Sequence, residues 1–323
     1  MYIANAASTL QMDPSVEFGR VNLNRLDLNL LVALDALLDE QSITKAASRL
    51  HLSTSAASGA LSRLREFFSD ELLTQIGRRM VPTPLGASLK AQVRDCLLHI
   101  HATVERRLSF DPATERRNFV LMMSDYVATI VMPAAAARLE REAPGVTFEL
   151  LANTDTPWET LDRGDVDFLI LPKKFSHPEH PAEVLFEDSF VCVVSTGNKL
   201  VGKHISMDQL LSLGHVVTRV GRHRPPTVDA WFFETFGHLR RTEIVAMSFN
   251  AVPHLVAGTN RVAMMHRRLA EVYCRTLPLR IIAPPVEMPP LIEVIQWHRY
   301  RESDPARIWL HEVLKAALPR ATS

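Results

Sequence analysis

Cysteine is scarce in this chain, and its cysteines are far apart. The 323 residues include only three, Cys96, Cys192 and Cys274, and no two of them form a C-x-x-C pair. A structural zinc site or a disulfide framework would need paired cysteines at short, regular spacings. The sequence therefore predicts buried free thiols in a reducing compartment, with neither a structural zinc site nor a disulfide framework.

Long apolar runs are also missing. No stretch approaches the roughly 20 apolar residues of a membrane helix, and residues 1–10 lack the basic flank and apolar core of a signal peptide. Hydrophobic residues make up 47% of the chain and charged residues 22%, which is ordinary for a globular protein. We expect a cytoplasmic protein without membrane contact, in which residues 1–25 form a loose extension and Met12 is an alternative initiator.

The motifs that carry catalysis in α/β proteins are absent as well. There is no G-x-G-x-x-G after a strand, no Walker loop and no G-x-S-x-G elbow. The 13 histidines do not join acids at metal-ligand spacing: His177 and His180 share a proline-bounded loop, and His99 and His101 are too close to share a helix face. An enzyme is not favoured and neither cofactor nor metal is expected, although a site assembled across loops would escape this test.

The formal net charge is zero, but the charges are unevenly distributed. Residues 42–108 hold ten Lys and Arg against five acids, so this segment carries +5 and the remainder −5. A neutral chain is not one that coats nucleic acid along its whole length. A basic segment on a neutral chain fits a dedicated nucleic-acid domain joined to a second domain.

Apolar periodicity in residues 26–83 predicts three helices in succession. Leucines at helical spacing mark the first, Ser42 can cap a short alanine-rich second, and Ser53 or Thr54 can cap a third that ends near Phe68. The polar face of the third helix carries short hydroxyl side chains and a terminal arginine, and such a face can lie flush in a major groove. The expected DNA contacts on it are Ser53, Thr54, Ser55, Ser58, Ser62 and Arg65.

A two-strand pattern follows over residues 72–81. Gly77 would form the turn and place Arg78 and Arg79 at its tip, where both are expected to contact DNA. A basic hairpin beside a recognition helix is a wing, which suits phosphates or the neighbouring minor groove. The alternative, a helical hairpin with a solvated polar face, is less favoured because of the wing and the local excess of positive charge.

Residues 84–108 form a long helical pattern after Pro82-Thr83-Pro84. Apolar residues recur every three or four positions along nearly all of it. Such a helix either packs on its own domain or pairs with a second copy. Pairing is favoured because a dimer with two DNA-binding domains matches the two halves of a pseudo-palindromic DNA site.

Strand and helix patterns alternate from residue 117 to the C terminus. Strands are expected at residues 146–152 and, without a break, at 184–194, and a helix at 227–236. Recurrent alternation of this kind predicts open α/β sheets with helices on both faces.

Ligands of open α/β sheets bind at the carboxyl ends of the strands. The strand ends expected here combine hydroxyl, imidazole and aromatic groups that suit a small, partly polar aromatic molecule. The alternative is that Tyr126 and Phe249 are simply core residues. The expected effector contacts are Ser124, Asp125, Tyr126, Pro172, His215, Phe249 and Asn250.

Several segments resemble the LysR-type transcriptional regulators, and the resemblance extends over nearly the whole chain from Leu26 to Leu318. In the N-terminal part they are Leu26-Asp27-Leu28-Asn29-Leu30-Leu31, Ala46-Ala47 with Leu50, Leu52 and Ser53, and Val81-Pro82-Thr83-Pro84 with Gly86. Within that family the chain looks most like the nodulation-gene activators and their relatives that respond to aromatic compounds. The segments that carry this likeness are 166–172, Gly214-His215-Val216, Trp231-Phe232-Phe233, 303–306 and Ile308-Trp309.

The resemblance implies an architecture of α plus α/β type. It comprises a winged helix-turn-helix at 26–83, a linker and dimerisation helix at 84–108, and a two-lobed α/β effector domain of periplasmic-binding-protein type at 117–323. It implies a DNA-binding activator whose inducer, a flavonoid, phenol or other aromatic, lies between the lobes. Its partners would be promoter DNA, RNA polymerase and further copies of itself in a homodimer or homotetramer. A small-molecule-binding protein or an α/β enzyme with a helical head are the alternatives.

Two positions depart from the family pattern. The recognition helix of the family usually starts Ser-Gln-Pro-Ala, whereas this chain has Ser53-Thr54-Ser55-Ala56. Glutamine can make a bidentate contact to adenine that Thr54 cannot, so the base preference is expected to differ or to rest more on DNA shape. A second base-contacting position, often basic in the family, is Gly59 here.

Overall fold

The computed structural model describes residues 27–318, apart from position 78 and residues 105–108, 220–226 and 238–239. Its contacts divide the chain into two units, Met1–His101 and Ala102–Ser323. The expected N-terminal extension and the end of the expected linker helix lie outside the described residues. Among the helices that are described, none is long and apolar enough to cross a membrane.

The first unit has the winged helix-turn-helix order that the sequence predicts. Its helices are α1 (Leu28–Glu40), α2 (Ile43–Arg49), α3 (Thr54–Phe68) and α4 (Pro84–Val104). Between α3 and α4 lies an antiparallel hairpin of β1 (Leu73–Ile76) and β2 (Arg79–Pro82).

Serine side chains set the starts of α2 and α3. Ser42 Oγ accepts a hydrogen bond from the Lys45 amide at 3.4 Å, and Ser53 Oγ accepts one from the Ala56 amide at 3.1 Å. Each oxygen satisfies a backbone donor that has no partner within its helix. Both caps are as the sequence predicts.

A polar network holds the corners where α3 meets β1 and β2 meets α4. The carboxylate of Asp70 accepts hydrogen bonds of 2.6 Å from both the Leu72 amide and the Thr83 hydroxyl. Thr83 Oγ1 also accepts from the Gly86 amide at 3.0 Å, and the Thr83 amide donates to the Leu72 carbonyl at 3.0 Å. Leu72 is fully buried with φ at 58°, a left-handed conformation that only surrounding contacts make tenable for leucine.

The first half of α4 packs on its own unit. Leu89, Val93 and Leu97 lie against the same apolar core as α1 and α3. Cys96, on the opposite side of this stretch, is exposed, so the prediction of buried thiols is wrong for Cys96, whereas Cys192 is buried and Cys274 half-buried. At the end of the helix Val104 is 80% exposed. Of the two alternatives for this helix, packing on its own domain therefore accounts for the first half, and the second half leaves an apolar surface open.

The second unit consists of two five-stranded sheets. The first has the strand order β4-β3-β5-β12-β6 and the second β11-β7-β10-β8-β9. The first-sheet strands are β3 (Arg117–Met123), β4 (Val146–Ala152), β5 (Phe168–Pro172), β6 (Ala182–Asp188) and β12 (Leu291–Gln296). The second-sheet strands are β7 (Phe190–Ser195), β8 (His215–Thr218), β9 (Thr242–Ala246), β10 (Val262–His266) and β11 (Leu279–Ile282).

Helices connect the strands of both sheets. They are α5 (Asp125–Glu142), α6 (Pro157–Asp162), α7 (Met207–Ser212), α8 (Thr227–Phe236), α9 (Ala251–Val256), α10 (Arg267–Cys274) and α11 (Pro305–Ala316). Strand β4 and helix α8 have the bounds that the sequence predicts. Central strands such as β10 are buried along their whole length, which explains their continuous apolar sequence.

The continuous strand predicted at residues 184–194 is wrong. The chain leaves the first sheet at Asp188 and enters the second at Phe190, so β6 and β7 belong to different lobes. The Asp188 carboxylate fixes this crossing by accepting hydrogen bonds from the Ser189 and Arg268 amides and from the Tyr126 hydroxyl. Apolar residues on both sides of the crossing hide it from a pattern analysis.

Candidate functional site

One face of α3 is exposed and carries small side chains, with no acid from Thr54 to Ser62; Glu66 follows one turn later. Thr54, Ser55, Ser58 and Ser62 are exposed, whereas Ala57, Ala60, Leu61 and Leu64 face the core of the unit. The Ser62 hydroxyl donates to the Ser58 carbonyl at 3.2 Å, which keeps that side chain close to the helix. The face can therefore approach another surface closely and still offer hydroxyl groups.

Arg65 differs from the other predicted DNA contacts because its guanidinium is engaged within the unit. Its Nε donates to the Glu71 carbonyl at 2.9 Å and its Nη2 to the Leu73 carbonyl at 2.8 Å. Nη2 also lies 3.0 Å from the Glu71 carboxylate. The structure thus gives Arg65 a positioning role between α3 and the wing, and its contact with DNA stays a prediction.

The hairpin turns at Gly77, whose φ of 63° suits glycine. Arg79 opens β2 and is exposed. Arg78 lies outside the described residues. A cationic side chain is therefore present beside the turn, as the wing prediction requires.

A cluster of charges that the sequence analysis missed joins three helices of this unit. Arg94 on α4 makes a buried bidentate pair with Asp35 on α1, with Nε and Nη2 at 2.7 and 2.9 Å from its oxygens. Arg49 on α2 and Lys90 on α4 reach Asp39 at 2.7 and 3.0 Å. Burial opposes ionisation of Asp39, but the hydrogen bonds from Lys90 and Arg49 outweigh it and lower its pKa to about 2. The cluster anchors α4 to α1 and α2, which share one apolar core with α3.

The second unit contains a cleft lined by residues of both sheets. It encloses about 1130 Å³ of space, part of it open to solvent. Four of the predicted effector contacts, Ser124, Tyr126, Pro172 and Phe249, lie on its wall. A cleft of this size between two lobes can hold a small ligand, and ligand contact by these four residues stays a prediction.

Aromatic rings form one side of the cleft. The Tyr126 ring stacks on His266 with 4.1 Å between centroids, and Phe190 and Phe249 each lie 5.1 Å from the same imidazole. The Tyr126 hydroxyl donates to Asp188 at 2.6 Å. Burial and the Asp188 charge raise the pKa of Tyr126 well above its usual value, so the phenol stays neutral. This side of the cleft is therefore aromatic and neutral at the phenol.

Three buried polar atoms of residues that line the cleft have no hydrogen-bond partner among the described residues: Oδ1 of Asn153, Oε2 of Glu293 and Nδ1 of His266. The side chains of Glu293 and His266 are buried. Burial raises the pKa of Glu293 to about 8 and lowers that of His266 to about 3, so both are neutral at pH 7. Buried polar atoms without partners are rare and call for an explanation. A ligand group in the cleft would supply the missing hydrogen bonds.

Three predicted effector contacts lie away from this wall. The Asp125 carboxylate accepts from the Ser248 hydroxyl at 2.6 Å and from the Phe249 and Asn250 amides at 3.2 and 2.9 Å. Asp125 and Asn250 therefore fasten the two lobes together beside the cleft. Their carboxylate and amide are already engaged by protein groups.

His215 is the third predicted effector contact that lies away from the aromatic side of the cleft. It opens β8, whereas the cleft lies at the other end of that strand, at Val217 and Thr218. The imidazole is fully buried and its Nε2 donates to the Leu210 carbonyl at 2.7 Å. Burial first, and then the nearby Arg240, lower its pKa to about 4. Arg240 itself lines the cleft and was not foreseen.

Comparisons with known proteins match each of the two units to a family profile. A family profile described as the LysR substrate binding domain matches residues 112–319, and one described as a bacterial regulatory helix-turn-helix protein of the lysR family matches residues 28–87. The chain is 44% identical over 291 residues to nodulation protein D 1 of Rhizobium meliloti, covering 90% of this chain and 94% of that protein. It is 42% identical to nodulation protein D 1 of Bradyrhizobium diazoefficiens, covering 90% and 92%.

Solved structures show the same fold. A probable transcriptional regulator from Pseudomonas aeruginosa is 28% identical, with a TM-score of 0.63 over 92% of this chain and 98% of that one. The regulatory domain of MexT, a transcriptional activator of the same species, has a TM-score of 0.56 at 21% identity, covering 64% of this chain and all of that one. The second likeness concerns the fold alone.

Proposed function

Because this chain belongs to the LysR family of bacterial transcriptional regulators, we propose that it is an activator that reads promoter DNA and is controlled by a small aromatic ligand. The observation that carries this proposal is that one unit has an exposed face of hydroxyl side chains on α3 and the other has an aromatic cleft with polar groups in its lining. The regulator would work in the cytoplasm, where promoter DNA is found.

The recognition face reads the major groove. In this proposal Ser53, Thr54, Ser55, Ser58 and Ser62 contact bases and phosphates, and the arginines at the wing turn bind the flanking backbone. Arg65 supports this surface by holding α3 to β1 through the Glu71 and Leu73 carbonyls. A hydroxyl group can either accept or donate and makes no bidentate contact to a base, so such a face discriminates bases less sharply than glutamine would.

The effector occupies the cleft. An aromatic ring would lie beside Tyr126 and Phe249, while its hydroxyl or carbonyl groups would satisfy Glu293 Oε2 and His266 Nδ1. The resemblance to the nodulation-gene activators implies a flavonoid or another phenol as this ligand. No catalytic step is needed for this role.

The ligand controls transcription by changing the contacts between the two lobes and between the subunits of the oligomer. Ser124, Tyr126 and Phe249 lie on the cleft wall beside the contacts by which Asp125 holds residues 248–250, so an occupant can change how the lobes are fastened. A ligand shifts such an equilibrium only by its different affinity for the two states. In the proposal the exposed second half of α4 pairs with another copy, dimers form a tetramer on DNA, and the ligand-bound form contacts RNA polymerase.

The DNA-binding part is tested by placing a charge on the recognition face. Ser58→Asp is expected to weaken operator binding at least about 10-fold, because a carboxylate against the groove is repelled by phosphates. Gln92→Glu adds the same charge at an exposed position of α4 in the same unit and is expected to bind as the wild type does. Fluorescence anisotropy with promoter DNA at several salt concentrations measures both. Equal affinities for the two variants would remove α3 from the interface.

The effector part is tested at the aromatic wall. Phe249→Ala is expected to weaken binding of a hydroxylated flavone or a simple phenol roughly 10-fold or more, because it removes a ring from one side of the cleft. Phe236→Ala, at a residue of α8 that is partly exposed and not on the cleft wall, is the control. Calorimetric titration of both variants gives the affinities. A Phe249→Ala protein that binds its best aromatic ligand as tightly as Phe236→Ala does would place the ligand elsewhere.

A further inference from the structure

An acid from one element and two histidines from a later loop meet in the first lobe. Asp162 ends α6, and His177 and His180 lie in the loop that follows the short helical turn Lys173–Phe175. One side-chain ligand atom from each of the three lies within 4.8 Å of the others. His180 Nε2 is 2.7 Å from Asp162 Oδ1. The spacing argument in the sequence missed this cluster because the acid comes from another element.

The fold holds the backbone of both histidines in place. Gln296, fully buried on β12, accepts a hydrogen bond from the His177 amide at 3.0 Å and donates to the carbonyls of His177 and His180 at 2.7 and 3.1 Å. The two imidazoles are thus presented by a fixed loop. A preformed arrangement lowers the cost of assembling a ligand set.

The imidazoles have nitrogens that the fold does not use. The side chain of His180 is 2% exposed, and within the described part of the chain its Nδ1 has no hydrogen-bond partner. His177 Nδ1 accepts from the Glu179 amide at 3.3 Å, so the ring proton is on Nε2. An ion at Nε2 would move this proton to Nδ1 and replace that long hydrogen bond. Asp162, 47% exposed, opens the cluster to solvent on one side and gives an ion a route in.

We propose that Asp162, His177 and His180 form a binding site for a divalent transition metal ion of the zinc type. Two imidazoles and one carboxylate are a set that Zn²⁺ takes in four-coordinate sites, with water as the fourth ligand. Mg²⁺ and Ca²⁺ prefer oxygen ligands throughout. The chemistry of the donors therefore selects the zinc class.

The distances require only small movements. With zinc–ligand bonds of about 2.0–2.1 Å, neighbouring ligand atoms of a tetrahedron stand roughly 3.3 Å apart. The His180–Asp162 pair would open from 2.7 Å, and any wider pair would close from at most 4.8 Å. Asp162 is the last residue of α6 and His177 is partly exposed, so both side chains can rotate without disturbing the core.

The location of the cluster gives the ion a consequence for the effector cleft, on the premise of the proposed function. Helix α6 begins at Pro157, and the histidine loop follows Pro172 and Phe175; all three residues line the cleft. An ion at the other end of these segments ties them together. Metal and effector affinities should then depend on each other, and by the same factor in both directions.

The metal site is tested in the full chain without DNA or effector, using Zn²⁺ in competition with a chromophoric chelator and Co²⁺ as a spectroscopic probe. The wild type is expected to bind one tightly held ion with the visible absorption of tetrahedral cobalt. Asp162→Asn and His177→Ala are each expected to weaken binding about 100-fold or more, since each removes a ligand. His204→Ala, at an exposed histidine of the second lobe, is the matched control and should bind as the wild type does.

Asp162→Asn retains a hydrogen-bonding group for His180, and unchanged melting of the metal-free variants shows that the fold survives. A wild type that takes up no zinc would reduce the cluster to an ordinary His–Asp pair. Equal affinities in Asp162→Asn, His177→Ala and the wild type would put the ion elsewhere and overturn the proposal. Because neither readout uses an aromatic ligand or DNA, this failure is distinct from a failure of the proposed function.

Discussion

Replacing Gly86 by alanine is expected to destabilise the N-terminal unit by about 3 kcal/mol and to abolish DNA binding at ordinary temperatures. Gly86 lies in the first turn of α4, where an added Cβ would overlap the carbonyl oxygen of Leu72 and approach the carbonyl carbon of Leu72 and Leu38 Cδ2 at 3.2 and 3.3 Å. The Leu72 carbonyl cannot give way, because it accepts the Thr83 amide and belongs to a residue with φ at 58°. The added methyl group therefore separates α4 from the wing.

Gly59→Ala is the matched control, since it makes the same chemical change in another helix of the same unit. Among the described residues, and apart from its chain neighbours and the backbone of its own helix, no atom lies within 4 Å of a Cβ placed at Gly59. Alanine is favoured over glycine within a helix by about 1 kcal/mol, so this variant should be more stable than the wild type. Urea denaturation followed by circular dichroism measures both. Two variants with the same stability would refute the close contact at Gly86.

The contrast between these glycines shows what the sequence can and cannot predict. The caps Ser42 and Ser53 and the buried alanines of α2 and α3 follow from local patterns, and the structure confirms them. The close approach of Gly86 to Leu72 depends on residues of a different element. Gly86 stood out in the sequence only as part of the family resemblance, without a physical reason.

The residues that line the cleft also differ in whether the sequence can predict them. Ser124, Tyr126 and Phe249 follow strands, so the strand-end rule brings them to the wall, and His266, which ends β10, could have been found by the same rule. Glu293 could not. It lies near the start of β12, which pairs antiparallel with β5 and sets Glu293 opposite Pro172. Strand direction is a tertiary property that apolar patterns do not carry.

Glu293→Gln is expected to stabilise the C-terminal unit at pH 7 by up to roughly 3 kcal/mol. Burial raises the pKa of Glu293 from 4.5 to about 8 in the folded protein. Below pH 4.5 the carboxyl is protonated in both states and contributes nothing to the difference. As the pH rises from 4.5 to about 8, only the unfolded state loses the proton, so the wild type loses stability relative to the glutamine variant; above about 8 the loss is constant.

Denaturation at pH 5, 7 and 9 measures this effect, with Glu149→Gln as the control because Glu149 is exposed on β4 and its charge is solvated in both states. The stability advantage of Glu293→Gln should be small at pH 5 and large at pH 9. The same neutral carboxyl would donate a hydrogen bond to a ligand in the cleft, so binding of an aromatic ligand that stays uncharged should weaken above pH 8 in the wild type but not in Glu293→Gln. An advantage that stays the same at all three pH values would show that Glu293 is ionised in the folded cleft, and the wall would then offer a ligand a charge in place of a proton.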